Sequence, residues 1–356
     1  MPTISIQATD TLFFRDGRPF SMGDDSFAQG HFLPPPSVIY GAWRSACIAN
    51  GLENNLHLDD LVKASETLYF RFMALQVGSS QYFPLPMDMI VPKQKGKSAF
   101  KTLALNLVSA PVHSNAKTPK ILKSEHEGKT EDEPFLLDLL ALENYLKCTV
   151  ENLNVKKRSD FSTAEPKIGI GRDRDSNITD GGKLFRTQAN RPAKVDAKGY
   201  IQRLRFLLDF DGLDMPDTGW LALGGERRAA IFEKAATVEI SRPEIDKPIF
   251  KIYLATPAVF AAGWKPENLL EAHGLTLLAA ALDRPVHVGG WDLDKNKPKP
   301  MLQCVPAGSV YYVQAENVDA AKKAAIAIHG FSISDNLNGI NYQAQGFGIA
   351  YIGKTL

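Results

Sequence analysis

A chain of 356 residues, 44% hydrophobic and 23% charged with a net charge of +1, has an ordinary globular composition with room for two domains. Cys47, Cys148 and Cys304 stand too far apart for a C-x-x-C pair or a metal-ligand spacing. MPTISIQATD lacks the marks of an export signal, and no run approaches the roughly eighteen apolar residues of a membrane span, so a cytoplasmic chain with no metal or cofactor is expected.

Taken in order, ISIQAT (4–9) predicts a strand, SVIYGAWRSACIAN (37–50) a helix capped by Ser37, and LYFRFMALQV (68–77) a strand. Residues 92–134 are polar, charged and punctuated by Gly and Pro, which predicts mobile loops. Residues 155–192 contain GIGRDRDSNITDGGKLF, a hairpin pattern with its turn at Asp180-Gly181-Gly182. YIQRLRFLLDF (200–210) and RAAIF (228–232) predict further strands. The pattern then restarts with a strand at 249–260, a helix at 269–282, strands at 285–291 and 310–315, a helix at 318–330 and a final strand in GFGIAYIG. Strand, helix, strand, strand, helix, strand is the ferredoxin-like order, and the half from about Ile245 follows it throughout, while the first half follows it with insertions. Each half closes on a glycine-rich loop feeding an apolar strand, ALGGERRAAIF (222–232) and AQGFGIAYI (344–352), the pattern of two related domains in tandem.

Net charge argues neither for nor against nucleic acid, but its distribution is uneven. Residues 151–205 hold thirteen Lys/Arg against seven Asp/Glu, or +6 in a chain of +1. Such a stretch is a candidate anion surface, or else a solvated face of paired charges. DTLFFRDGRPFSMGDDSFAQG (10–30) adds Phe13, Phe14 and Phe20 beside Arg15 and Arg18, and HFLPPPSVIYGAWRSA (31–46) leads into a helix bearing Arg44. Aromatics can stack on unpaired bases while arginines meet phosphate; the competing reading makes the phenylalanines core and the arginines structural.

Other motifs are weaker. Gly348–Thr355 spells a P-loop, but that motif needs a helix behind it to aim N–H groups at phosphate. Only Leu356 follows, and Ile-Ala-Tyr-Ile suits a strand, with Gly353-Lys354-Thr355 expected to fray past its end. Met22-Gly23-Asp24-Asp25 resembles a two-metal hairpin but lacks flanking strands to hold the acids, so its carboxylates are expected to pair with Arg15 or Arg18. The seven histidines show no zinc spacing. His31 alone, in the loop with the arginines, is a candidate general base, against a phosphate-binding or backbone-satisfied histidine.

TLFFRDGRPF, LPPPSVIYGAWRSA, KIGIGRDRDSNITDGGKLF, LGGERRAA, TPAVFAAGW, VPAGSVYYV and GFGIAYIG, in this order, resemble the third-subunit family of the type III-B CRISPR RAMP module, the Cmr effector complex. The resemblance covers essentially the whole chain, with 92–134 its least familiar part. It implies an α+β fold of two ferredoxin-like (RRM-like) domains, 1–244 with insertions near 92–134 and 155–192, and 245–356. It further implies a non-catalytic subunit that grips the 5′ handle of the guide RNA and binds the large palm-domain subunit and the first backbone subunit in antiviral defence. Carried onto this chain, the RNA-binding residues are Gly224, Gly225, Arg227 and Arg228 in one glycine-rich loop and Gly346 and Gly348 in the other. The basic hairpin contributes Arg172, Arg174 and Arg186, and the N-terminal stretch Arg15, Arg18, His31 and Arg44. The alternative is a metal-independent RAMP endoribonuclease that processes guide RNA with His31 as base.

Overall fold

The computed structural model describes residues 2–15, 27–52, 67–93, 100–111, 117–150, 153–173, 176, 178–196, 198–292 and 297–355; Arg18, Arg174 and the Met22–Asp25 motif lie outside them. Strands β1 (Thr3–Ala8), β2 (Phe14–Arg15) and β3 (Phe27–His31) lead into helix α1 (Pro36–Ala49), followed by β4 (Tyr69–Val77) and β5 (Ser80–Pro84). Next come β6 (Asn106–Ser109), β7 (Lys120–Lys123), β8 (Phe135–Asp138), α2 (Leu139–Leu146) and β9 (Val155–Lys157). A long ribbon, β10 (Thr163–Arg172) and β11 (Thr179–Arg191), precedes β12 (Ala193–Val195), β13 (Ile201–Asp211), β14 (Thr218–Leu223) and β15 (Arg228–Ala235).

Most of these strands form one antiparallel sheet in the order β9-β8-β5-β4-β13-β1-β15-β14, with β12 added to β13. Alternation decides its faces. Ile4 and Ile6 of β1 lie opposite Leu208 and Phe206 of β13, and all four enter the core beneath α1. The helix buries Ile39, Tyr40, Trp43, Ala46 and Cys47, one stripe at helical spacing. Trp43 meets Phe210 and Phe232 edge to face at 4.8 and 4.9 Å. The helix opens one residue before the predicted start, with Pro36 in its first turn and no side-chain cap from Ser37. Proline serves there because its missing N–H would have no helical partner.

The second half runs β16 (Ile249–Leu254), α3 (Glu267–Ala272), β17 (Thr276–Ala281), β18 (Val286–Val288), β19 (Leu302–Cys304), β20 (Val310–Gln314), α4 (Val318–Ile328), β21 (Phe331–Ser332) and β22 (Ile349–Lys354). Its antiparallel sheet has the order β17-β20-β16-β22-β21. Helix α4, capped by Asn317, packs through Ala321, Ala324, Ala325 and Ile328, small side chains that bring it close to the strands. The whole is an α+β protein, mainly antiparallel sheet with few helices.

Several expectations are corrected. The 269–282 run is a short helix and then strand β17, and 285–291 belongs to a small hairpin, β18 with β19, outside the five-stranded sheet. Between β13 and β15 the described residues hold strand β14 where the ferredoxin-like order has a second helix. Within 92–134, β6 pairs with β7, and Leu107 and Leu122 pack on the core, so this part is ordered rather than a mobile loop. Strand β22 extends through Lys354, with Gly353 paired to Lys251 rather than frayed.

The two halves share a core in which Phe72 and Leu207 meet Tyr253, Tyr312 and Tyr351. At this seam Asp88, 1% exposed, accepts hydrogen bonds from Tyr145 and Tyr312, each 2.7 Å. Lys251 lies 3.5 Å from the same carboxylate and 3.6 Å above the Tyr145 ring. Burial keeps both tyrosines in the hydroxyl form that donates, pushing their pKa well up.

Candidate nucleic-acid interface

Three stretches distant in sequence form one surface. β2 pairs with β3, setting Phe14 opposite His31, and β3 runs parallel to β11, setting Phe27 opposite Arg186. Leu12 and Asn190 exchange two 2.8 Å backbone hydrogen bonds. The result is a four-stranded sheet, β10-β11-β3-β2. The first glycine-rich loop docks on it, because the Gly225 N–H donates to the Phe13 carbonyl at 2.8 Å.

That loop is conformationally demanding. Gly224 has φ +71, and a Cβ there would lie 3.0 Å from both the Phe13 oxygen and the Phe14 ring, so only glycine fits. Glu226 and Arg227 also have positive φ, +61 and +50. Side chains rarely adopt this region, and such strain persists only where the surroundings impose it. The restraint here is ionic. Glu226 binds Lys167 of β10 at 2.5 Å and Arg228 at 2.6 Å; Arg228 also reaches Asp10 at 3.1 Å. Arg191 links Asp10 at 3.2 Å to Glu165.

Hydrogen bonds from Lys167 to Glu226 and from Arg191 to Glu165 hold both carboxyls below their ordinary pKa. The Thr11 N–H, aided by Arg191 and Arg228, does the same for Asp10. Each pair is largely exposed and worth about 0–1 kcal/mol, but together they tie the N-terminal stretch, the ribbon and the loop into one piece.

Glu165 and Lys167 occupy the ribbon face turned to this network. The opposite face is exposed and carries Ile168 and Ile170, 65% and 46% accessible, with Arg186 directly across from Ile168. Arg186 and Arg227 are exposed and, among the described residues, form no ion pair. The exposed isoleucines beside the Arg186 guanidinium offer apolar contact and charge together, a combination suited to phosphodiester and base.

The chain matches, over residues 4–355, the family model described as CRISPR-associated protein (Cas_Cmr3). It belongs to this family. No curated protein matches its sequence. The Cas_Cmr3 fold seen here is similar to a chain in the structure described as type III-B Cmr-beta bound to cognate target RNA, at 16% identity and a TM-score of 0.50, covering 87% of this chain and 86% of that one. A second match is to type III-B Cmr-beta bound to cognate target RNA and AMPPnP, state 1, at 15% identity and a TM-score of 0.51, with the same coverage. At these identities the likeness is one of fold.

The predicted residues separate into groups. Arg15, Arg186, Arg227, Gly224 and Gly225 lie on the composite surface, whereas Arg228 is half-buried in the ion-pair network. Arg172 ends the ribbon opposite Thr179. The turn comes at 173–178, where the Asp173 carboxylate accepts from the Ser176 N–H and hydroxyl, and Asp180-Gly181-Gly182 lies inside β11. His31 faces the second half, its Nε2 3.2 Å from the carbonyl oxygen of His287. That contact makes Nε2 a donor, with its proton committed to the backbone. Arg44 is half-buried on α1, with a shielded Nε that has no hydrogen-bond partner among the described residues.

Gly346 and Gly348 are buried, and their N–H groups donate to Gln343 and Pro257 carbonyls at 3.0 and 2.7 Å. No amide remains for a phosphate, and the physical reason is packing. A Cβ on Gly346 would lie 3.1 Å from Phe70 and Met73 of β4, and one on Gly348 2.6 Å from the Ser334 hydroxyl. The second loop therefore joins the halves. Sequence reasoning missed Asp10, Glu165, Lys167, Glu226 and Arg191, although the alternation of Ile168 and Ile170 with Lys167, Gly169 and Gly171 was a usable signal that Lys167 faces away from the isoleucines. Among the described residues no cluster of His, Cys, Asp or Glu is placed to hold a metal ion, and no helix is long and apolar enough to cross a membrane.

Proposed function

We propose that this chain is the subunit of a type III-B CRISPR effector complex that grips the 5′ handle of the guide RNA and bridges the large palm-domain subunit to the first backbone subunit, with no catalytic step of its own. Family membership and the two Cmr-beta matches support the setting. Two tandem ferredoxin-like domains, 1–244 and 245–356, are supported by the sheet orders. The series β4-β13-β1-β15 and β17-β20-β16-β22 both run second, third, first, fourth strand.

The observation that carries the RNA reading is the convergence of the N-terminal stretch, the basic ribbon and the Gly224–Arg228 loop on one four-stranded sheet, with Arg227 exposed at the loop and Arg186 on the ribbon's outer face, neither in an ion pair among the described residues. Phosphate contacts from such arginines position an RNA without reading its sequence, which suits a handle shared by every guide. The His31 contact to the His287 carbonyl favours a positioning role for that histidine over general-base use.

Anisotropy titration of the handle RNA against salt tests this. Replacing Arg186 or Arg227 by Ala lowers the log–log salt slope by about 0.7 for each single-strand phosphate that is no longer neutralised, and an unchanged slope in both removes this face as the interface. Incubation with repeat RNA without metal yields no cleavage; site-specific cleavage abolished by His31→Ala would establish the nuclease instead.

A further inference from the structure

The motif left over from the sequence, Gly353-Lys354-Thr355, borders a cavity of about 380 Å³ at the seam between the halves. Its walls come from the insertion strands β6 and β7, the segment after α2, and the start of β16 with Tyr312 and Thr355. Three lysines line it, Lys120, Lys247 and Lys251, and no carboxylate does. The volume falls within the roughly 300–1,000 Å³ of small-molecule sites.

Lys251 is the informative one, because its side chain is 4% accessible. An ammonium has three N–H donors. Here one reaches Asp88 at 3.5 Å, and the carboxylate is already occupied by two shorter tyrosine hydrogen bonds. The Tyr145 ring, 3.6 Å away, covers another side of the ammonium, and an anionic acceptor in the cavity would add to these two contacts. Gly353 makes the placement possible, since a Cβ there would lie 3.0 Å from the Lys251 Cε. Lys120 and Lys247 form no ion pair among the described residues; neighbouring Asp246 is bonded to Lys354 at 2.9 Å. Asn106 is bonded to Glu125, which does not line the cavity. The remaining wall is apolar, with Leu105, Leu107, Val150, Pro248 and Ile249.

We propose that this seam cavity binds a small phosphorylated molecule of mononucleotide size, its phosphate held by Lys120, Lys247 and Lys251 and its flat body against the apolar wall. The site is separate from the RNA surface and independent of that assignment.

Calorimetry of the full chain with AMP, inorganic phosphate and adenosine tests it. AMP saturates one site with a Kd below about 1 mM, phosphate alone binds more weakly and competes, and adenosine gives no saturable heat. Lys120→Glu and Lys247→Glu each weaken AMP by about tenfold or more, while Lys198→Glu, in the β12–β13 turn, leaves it unchanged. Lys251→Met abolishes binding in a chain whose thermal unfolding remains cooperative. No saturable AMP binding up to about 5 mM, equal affinity for adenosine, or unchanged affinity in both Lys→Glu variants would each overturn the proposal. A 5′-phosphorylated RNA dinucleotide that binds while AMP does not would assign the cavity to an RNA end instead of a free nucleotide.

Discussion

The two glycine-rich loops are spelled alike and precede the last strand of each half, yet they do opposite work. The first, at 224–228, is at the surface, strained at Glu226 and Arg227 and held by ion pairs reaching from Asp10 to the ribbon. The second, at 346–348, is buried, its amides spent on nearby carbonyls and its missing Cβ atoms filled by Phe70, Met73 and Ser334. Positive φ at Gly224, Gly346 and Gly348 and close neighbours at each are common to both loops; burial separates them, and Arg227 is displayed only by the first. The same place in the chain thus carries two different tasks.

Substitution at the second loop has the larger expected effect. Gly348→Ala places a Cβ against Ser334 at positive φ and costs about 2–4 kcal/mol of unfolding free energy, read by urea denaturation, while the folded fraction binds handle RNA as before. Gly224→Ala costs about 1–2 kcal/mol but weakens RNA binding more than stability, because the Arg227 tip moves with the backbone. Equal losses of stability and binding in the two variants would erase the distinction between the loops.

Acid gives the smallest and most diagnostic effect. Asp10, Glu165 and Glu226 have folded pKa values below their unfolded values near 3.8, 4.5 and 4.5. Their stabilisation is complete above those values and is lost as pH falls through the lower folded ones. Amide exchange corrected for its intrinsic pH dependence should therefore rise in 224–228 below about pH 4, with 346–348 unaffected. Asp209 has the opposite sign. Burial raises its pKa to about 6, so it destabilises the fold progressively from about pH 4 to pH 6, and the stability gained by Asp209→Asn grows across that window and is complete above it.

Much of the layout was legible because periodicity is local. The β1, α1, β4 and β13 segments declared themselves by alternation or by a helical stripe. The Leu-Ala run at 275–282 did not, since a fully buried strand and a buried helix share an unbroken apolar pattern; the His273-Gly274 break was the overlooked sign. The basic ribbon was visible as charge, but its cations could not be sorted into paired and free. Lys167 and Glu226 are 59 residues apart and Arg228 and Asp10 are 218 apart, distances over which a sequence carries no register. The second glycine-rich loop misled because the same letters satisfy a phosphate cradle and a tight packing contact.

The placement of β1 has a consequence for the newborn chain. Among the described residues this strand's ladder partners are β13 and β15, whose residues run from Ile201 to Ala235. Its first segment therefore leaves the ribosome without a ladder partner until β13 has been made at residue 211, and both neighbours exist only after residue 235, roughly 10–50 s at ordinary elongation rates. During that interval Phe14 lacks the edge-to-face contact with Phe206, and the surface completed by the 224–228 loop is among the last parts of the first half to come into being.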